Sequence, residues 1–478
     1  MPDTYLPMNE IRAQFARALS RMYAMEVPLY QTLVDTVREV NHEVLGQDPK
    51  GTLARVTEER HGAIRLGTAD EMKNMARVFA VMGMYPVDYY DLTVANLPVH
   101  STAFRPITED ALATNPFRVF TSVLRMDILE AKHADAAALA KDALAKRQIF
   151  SPKLLELVRT FESRGGLSAT EAETFISEAM KTFRWHEQAA VSKSTYETLL
   201  RTDALLADVA SFQGPHINHL TPRVLDIDLL YARMKAKGIT MTPIIQGPPK
   251  MEMDILLRQT SFQALVEPVT FAEGESTEKG QHRARFGEIE QRGVALTPEG
   301  RARYDTAILK VEAVKSNDPR YNEVLGEAFK DFPRGEAALR KGKLAYFRYS
   351  PTKKGLKADA AQMKHLSLDQ LVENDFVYAD GITYEDFLPV SAAGIFKSNL
   401  VDGGTAMVEK ATVSSRAKLE AVIGTPIIDP FALYAATEAR SILATYEALG
   451  LEREKGERRT LEKRVADDPA MKISGHHH

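Results

Sequence analysis

Cysteine is absent from all 478 residues. Its absence excludes disulfides, thiolate nucleophiles, zinc ribbons and cysteine-bound iron–sulfur clusters. It also fits a reducing compartment, and a cytoplasmic location is the expectation. Any metal must then be held by His, Asp or Glu, which narrows the choice to ions such as Fe(II), Mn, Ni or Zn. No apolar run approaches the ~20 residues that span a bilayer. Neither sign of charge dominates: 61 Lys and Arg face 65 Asp and Glu, a formal net charge of −4. Without a long basic run nothing tracks a phosphate backbone, so neither nucleic acid nor membrane is an expected partner. The opening "MPDTYLPMNEIRAQF" has no basic segment leading into an apolar core, so no secretory signal is expected. The closing "SGHHH", residues 474–478, reads as a tag remnant, and its histidines are set aside.

What is present is long enough for two or three ordinary domains. Residues 1–50 carry apolar positions at spacings of three and four, a helical pattern that Pro28 should bend or divide. Residues 127–210 are also mostly helical, with a glycine stop and a Ser/Thr restart in "RGGLSATEAETF". Between and after these lie short alternating strands, in the stretches 51–126 and 211–300. Residues 301–470 mix helix and strand and include the small-residue segment 382–400.

The two strand-rich stretches repeat one another. "HGAIRLGTADEM" begins at His61 and "HLTPRVLDIDLL" at His219. Each has an Arg four residues after the His (Arg65, Arg223) and an Asp nine after it (Asp70, Asp228). Each runs into an amphipathic helix ended by a glycine, Gly83 or Gly238. Thr102 in "STAFRPI" and Thr260 in "QTSFQAL" both follow their histidine by 41 residues. The expected fold is therefore α+β: two βαβββ modules curving a mixed sheet around a cleft, with large helical insertions and termini. First-strand histidines of the two modules would meet across that cleft.

His216 and His219 in "HINHLTPR" are three apart, so on a regular strand they face opposite sides. A helix would put them on one face, but Pro222 and the preceding Gly-Pro oppose helix. The repeat selects His219, and His216 is expected to be satisfied locally. "RFGEIEQRG" places Glu288 and Glu290 on one face. One could bind metal while the other orients a histidine or a water; spacing does not choose between them.

Two resemblances arise at these residues. The double module with a first-strand His in each half looks like the vicinal oxygen chelate superfamily. Within it, "EIEQR" resembles the Glu-x-x-Gln-Arg of 4-hydroxyphenylpyruvate dioxygenases, whose glutamate is an iron ligand; that carries over onto Glu288. More closely, "ERHGAIRLGTA", "MGMYPVDYYDL", "VHSTAFRPI", "NPFRVFTSVLR", "HINHLTPR", "LLRQTSF", "RFGEIEQRGVALT" and "ITYEDFLPVSAAGIF" resemble the 2-oxoadipate dioxygenase/decarboxylase (hydroxyglutarate synthase) family. The resemblance implies Fe(II) held by His61, His219 and Glu288. It also implies conversion of 2-oxoadipate and O2 to 2-hydroxyglutarate and CO2, in lysine catabolism. The implied substrate contacts are Arg65, Val390 and Ser391.

The residues suit that chemistry. Two imidazoles and one carboxylate leave open positions on Fe(II) for a 2-oxo acid and O2. A dianionic substrate needs a second anchor, and a guanidinium clamps a carboxylate in two-point fashion. Arg65 lies an even four residues from His61 and so shares its face on a continuous strand. By the same parity Arg223 is a second candidate. Helical regions would cover the cleft and exclude water. Two rival expectations are a non-redox isomerase or lyase of the glyoxalase type with Ni or Zn, and a metal-free binding protein on the same fold. Oligomeric state does not follow from the sequence.

Overall fold

A computed structural model of the protein describes residues 4–48, 51–262, 265–273, 276–285, 287–388 and 413–474. The chain divides into two compact units. The first comprises Met1–Ile245, Gln259–Gln291 and Phe387–Ile427; the second comprises Gln246–Arg258, Arg292–Asp386 and Ile428–His478. The C-terminal stretch expected as one region is thus shared between them.

In the first unit the 51–126 stretch is a βαβββ module. Strand β1 (Arg60–Leu66) leads into helix Ala69–Val81, then β2 (Tyr85–Asp91), β3 (Val99–Arg105) and β4 (Arg118–Leu124). Strand β4 returns parallel to β1, and β3 and β2 follow antiparallel. Every residue of β1, β3 and β4 is buried, as expected where both faces of a sheet are covered. Thr68 caps the helix by accepting from the Glu71 N–H, and Gly83 ends it at φ +66°.

The second module starts with β5 (His219–Pro222) and helix Ile227–Ala236, which Asp226 caps and Gly238 ends at φ +81°. Thr68 and Asp226 both stand seven residues after their histidine, so the repeat extends to the helix caps. Strands β6 (Leu257–Ser261) and β9 (Glu288–Arg292) pair as a two-stranded sheet. Between them in sequence lies a long hairpin, β7 (Leu265–Glu273) and β8 (Ser276–Arg285). Among the described residues the counterpart of β2 is a single bridge, Met241 to Phe262. A parallel bridge from Arg223 to Glu290 repeats the β1–β4 relation. Even the matched threonines behave alike: Thr102 donates to the Asp88 carbonyl and Thr260 to the Ile244 carbonyl. Strand β5 then pairs antiparallel with β1, extending the first sheet to the order β2-β3-β4-β1-β5. That pairing joins the two modules and mixes parallel with antiparallel neighbours.

Helices Met8–Glu26 and Pro28–Leu45 pack on this unit, divided at Pro28, which starts the second one. Arg12 is buried there and donates to the carbonyls of Met82, Ala111 and Asn115. Six helices run from Met126 to Ala210; Ser168 and Glu171 form the capping box that restarts helix Ala169–Phe183. A large core of Ile11, Phe15, Leu19, Met75, Phe79 and Phe175 holds these layers together.

The second unit pairs β10 (Phe347–Pro351) with β11 (Val377–Gly381). Helices Pro298–Glu312, Pro430–Ala448 and Lys455–Ala466 belong to it. No helix among the described residues is long and apolar enough to cross a membrane.

Candidate metal centre

The antiparallel β1–β5 register sets Ala63 opposite His219 and His61 opposite Thr221. His61 and His219 are therefore diagonal neighbours on one face. Their rings stand 5.4 Å apart, edge to face, and both are fully buried. Glu288, the first residue of β9, reaches the same point. His61, His219 and Glu288 each offer one ligand atom, all within 4.8 Å of one another. Glu288 Oε1 is 2.9 Å from His61 Nε2 and 3.7 Å from His219 Nε2. Thr221 and Gln259 donate to that oxygen at 2.9 and 3.0 Å, which fixes the carboxylate.

The donor set fits a divalent cation. Glu288 Oε2 is buried and has no hydrogen-bond partner among the described residues. Burial raises the Glu288 carboxyl above its ordinary range, although His61 and Thr221 pull the other way. Burial, then the neighbouring charges of His61 and Arg65, hold His219 well below the usual histidine range, so it is neutral. Burial would also lower His61, but Glu290 and Glu288 outweigh it and raise its pKa. A buried carboxylate flanked by two imidazoles lacks one thing, a positive charge to share, and a bound cation would supply it. Glu290 Oε2 lies 2.8 Å from His61 Nδ1. A carboxylate at that distance from Nδ1 can orient the imidazole and leave Nε2 for a metal.

Phe387 packs edge-on against His61 at 4.9 Å, and Phe120 backs Phe387 at 5.5 Å. This apolar wall belongs to the first unit and keeps water from one side of the group.

Arg65 is buried and pairs with Asp208 at 2.8 Å, and its charge is felt at His219. Arg223 instead pairs with Glu59 at 3.0 Å, and Glu59 also binds Arg118 at 3.0 Å. That ion-pair cluster ties β1, β4 and the end of β5 together, a structural use for the second candidate arginine. His216 does face away from the ligands, but not through strand alternation. β5 begins only at His219, and His216 lies in the irregular segment before it. Its Nε2 is 2.9 Å from Asp208. Val390 and Ser391 lie outside the described residues. Sequence reasoning missed Asp208, Glu59, Thr221 and Gln259. Asp208 had a signal, since it is the one acid in "ALLADVA", where Leu, Ala and Val surround it.

Two βαβββ modules joined edge to edge, with a buried His–His–Glu group at the seam, define a protein of the vicinal oxygen chelate kind able to hold a metal. The family model for 2-oxoadipate dioxygenase/decarboxylase matches residues 15–399, and the chain belongs to that family. A 2-oxoadipate dioxygenase/decarboxylase of Pseudomonas putida is 48% identical over 463 residues, covering 94% of this chain and 99% of that protein. Its namesake in Escherichia coli is 47% identical over 441 residues, covering 91% of this chain and 97% of that one. The crystal structure of hydroxyglutarate synthase from Pseudomonas putida in complex with 2-oxoadipate superposes with a TM-score of 0.85. It is 47% identical, over 94% of this chain and 99% of that chain.

Proposed function

We propose that the protein is an Fe(II)-dependent enzyme that converts 2-oxoadipate and O2 to 2-hydroxyglutarate and CO2. The convergence of His61, His219 and Glu288 in one buried group, with His219 held well below the usual histidine range, carries this reading. The family supports it, since the relatives are named for that substrate and the hydroxyglutarate synthase structure holds 2-oxoadipate.

The balance closes without another reductant. The C1–C2 bond breaks and C1 leaves as CO2. C2 gains one oxygen and becomes the new carboxylate, and the adjacent carbon exchanges C–H for C–OH. Bound Fe(II) would supply the Lewis acidity that grips a 2-oxo acid and the redox capacity to use O2. His61, His219 and Glu288 would hold it on three sides, leaving room for substrate. Glu290, 2.8 Å from His61 Nδ1, would orient that ring. Thr221 and Gln259 hold the Glu288 carboxylate in place. Arg65 would bind the distal carboxylate of the substrate, and Val390 and Ser391 would line its pocket. Phe387 and Phe120 exclude water from the reacting carbon. A place in lysine catabolism and a cytoplasmic location complete the proposal; the cysteine-free composition suits the latter.

The test is O2 uptake and CO2 release after removal of the C-terminal histidines. With 2-oxoadipate and Fe(II), both are expected in equal amounts with 2-hydroxyglutarate. Metal-dependent turnover without O2 uptake would instead point to a glyoxalase-type lyase or isomerase. His219→Ala is expected to abolish turnover and weaken iron binding, whereas His216→Ala keeps iron binding. The reverse pattern overturns the ligand assignment.

A further inference from the structure

We infer that Asp208 is the positioning residue for Arg65, and that through it the enzyme prefers dianionic over monoanionic 2-oxo acids. This rests on the proposed role of Arg65 at the distal carboxylate. Asp208 sits on helix Ala204–Ala210, in the helical insertion between the modules, and is 4% exposed. Its carboxylate receives four donors. Oδ2 accepts from Arg65 Nη1 at 2.8 Å and Asn218 Nδ2 at 3.0 Å. Oδ1 accepts from His216 Nε2 at 2.9 Å and His282 Nε2 at 2.8 Å.

The protons of this cluster are determined by its geometry. Two imidazole nitrogens facing one carboxylate oxygen must both be N–H donors. Tyr196 Oη lies 2.7 Å from His282 Nδ1 and holds the far side of that ring. Burial lowers the pKa of His216, although Asp208 pulls the other way, and its ring stands edge-on to Trp185 at 4.6 Å. Burial alone would raise Asp208, but His216, His282 and Arg65 outweigh it and hold the carboxyl well below the usual range. Asp208 is thus a carboxylate oriented on one edge by two histidines and presenting its other edge to Arg65.

Two donors on one oxygen fix the plane of the carboxylate, and the other oxygen then aligns the guanidinium. Arg65 pairs with this anion at 2.8 Å and, four residues along β1 from His61, shares its face with that ligand. A long side chain held at one end this way loses less freedom when substrate binds. The effect should therefore fall on substrates with a carboxylate for Arg65 to meet. The two histidines that drew no metal role, His216 and His282, become the struts of this arrangement.

The experiment compares KM and kcat for 2-oxoadipate and for the six-carbon 2-oxo monoacid, using Arg65→Ala, Asp208→Asn and Asp208→Glu. Asp208→Asn is expected to raise KM for the diacid about 10- to 100-fold, with kcat and the monoacid KM changed less than about 3-fold. Asp208→Glu keeps the charge but displaces it, and is expected to show the same diacid-specific loss. Iron affinity should be unchanged in both. If Asp208→Asn fails to fold, His282→Leu removes one donor from Oδ1 and should give a smaller loss, again confined to the diacid. Equal losses on diacid and monoacid, or full rescue by Asp208→Glu, would overturn the positioning role. If Arg65→Ala itself discriminates while the Asp208 variants do not, only this inference falls. If Arg65→Ala does not discriminate, the Arg65 clamp falls and takes the inference with it.

Discussion

At the residue scale, the division of labour between Glu288 and Glu290 is the sharpest outcome. Strand alternation puts both on one face of β9, and both are fully buried. Glu288 Oε1 lies 2.9 Å from the near nitrogen of His61, whereas Glu290 lies 2.8 Å from the far one. Arg118 stands 4.0 Å from Glu290 on its other oxygen. Replacing Glu290 by Gln retains an acceptor but removes the charge that polarises the imidazole. We expect Glu290→Gln to lower metal affinity about 10- to 100-fold while leaving the ligand set intact. Chelator competition against the parent protein measures it; unchanged affinity would make Glu290 idle. Much of this site was legible beforehand. The repeat chose His219 over His216, and period two put both glutamates on the face. The choice between Glu288 and Glu290 needed either the family motif or the atomic distances. The burial of Asp208 left a trace in its apolar neighbours but its partners did not, because nothing in one sequence says that an acid in a helix meets groups 143 and 74 positions away, Arg65 and His282.

At the scale of elements, the centre depends on how closely β1 and β5 approach. Gly62 sits beside His61 on β1 and opposite Leu220. A Cβ there would lie 2.6 Å from Ile217 Cδ1 and 3.4 Å from the His219 carbonyl oxygen. The backbone contact is tolerable; the methyl contact is not. Gly62→Ala should therefore destabilise the protein by about 1–3 kcal/mol through overpacking. Ile217→Val removes that one methyl, so the double variant should recover most of the loss. Chemical denaturation of the single and double variants checks this, and additive losses would place the strain elsewhere. The same scale shows why the repeat was readable and its second copy only partly so. Histidine, arginine, cap and glycine recur at fixed offsets because strand, helix start and helix stop must recur. The β7–β8 hairpin leaves no such trace. In sequence it reads as more alternating strand, and which strands pair with which is a long-range choice. The reduction of the second β2 to one bridge among the described residues is invisible for the same reason.

At the scale of the whole molecule, the second unit belongs to the common length of the family, since the full-length relatives align over more than nine-tenths of this chain. It carries a titratable group of its own. A cavity of about 650 Å³ in that unit is lined by Tyr346, Tyr349, Glu438 and Arg464, among others. Glu438 Oε2 accepts from the Phe347 N–H at 2.8 Å, and Arg464 is 3.8 Å from Oε1. Burial outweighs both and pushes the carboxyl from 4.5 up to about 7. A folded pKa above the unfolded one means that the folded state binds the proton more tightly. The stability so gained is complete below pH 4.5 and is lost as pH rises through 7. Glu438→Gln keeps the acceptor for Phe347 and cannot ionise, so it should match the parent at pH 4.5 and exceed it at pH 8. A shift of this size corresponds to roughly 2–3 kcal/mol, allowing for partial exposure. Thermal unfolding of both proteins at the two pH values reads it out, following the transition that changes, because two units need not melt together. Parallel pH profiles for the two proteins would mean that Glu438 titrates as an ordinary surface glutamate and that the cavity is wetter than its lining implies.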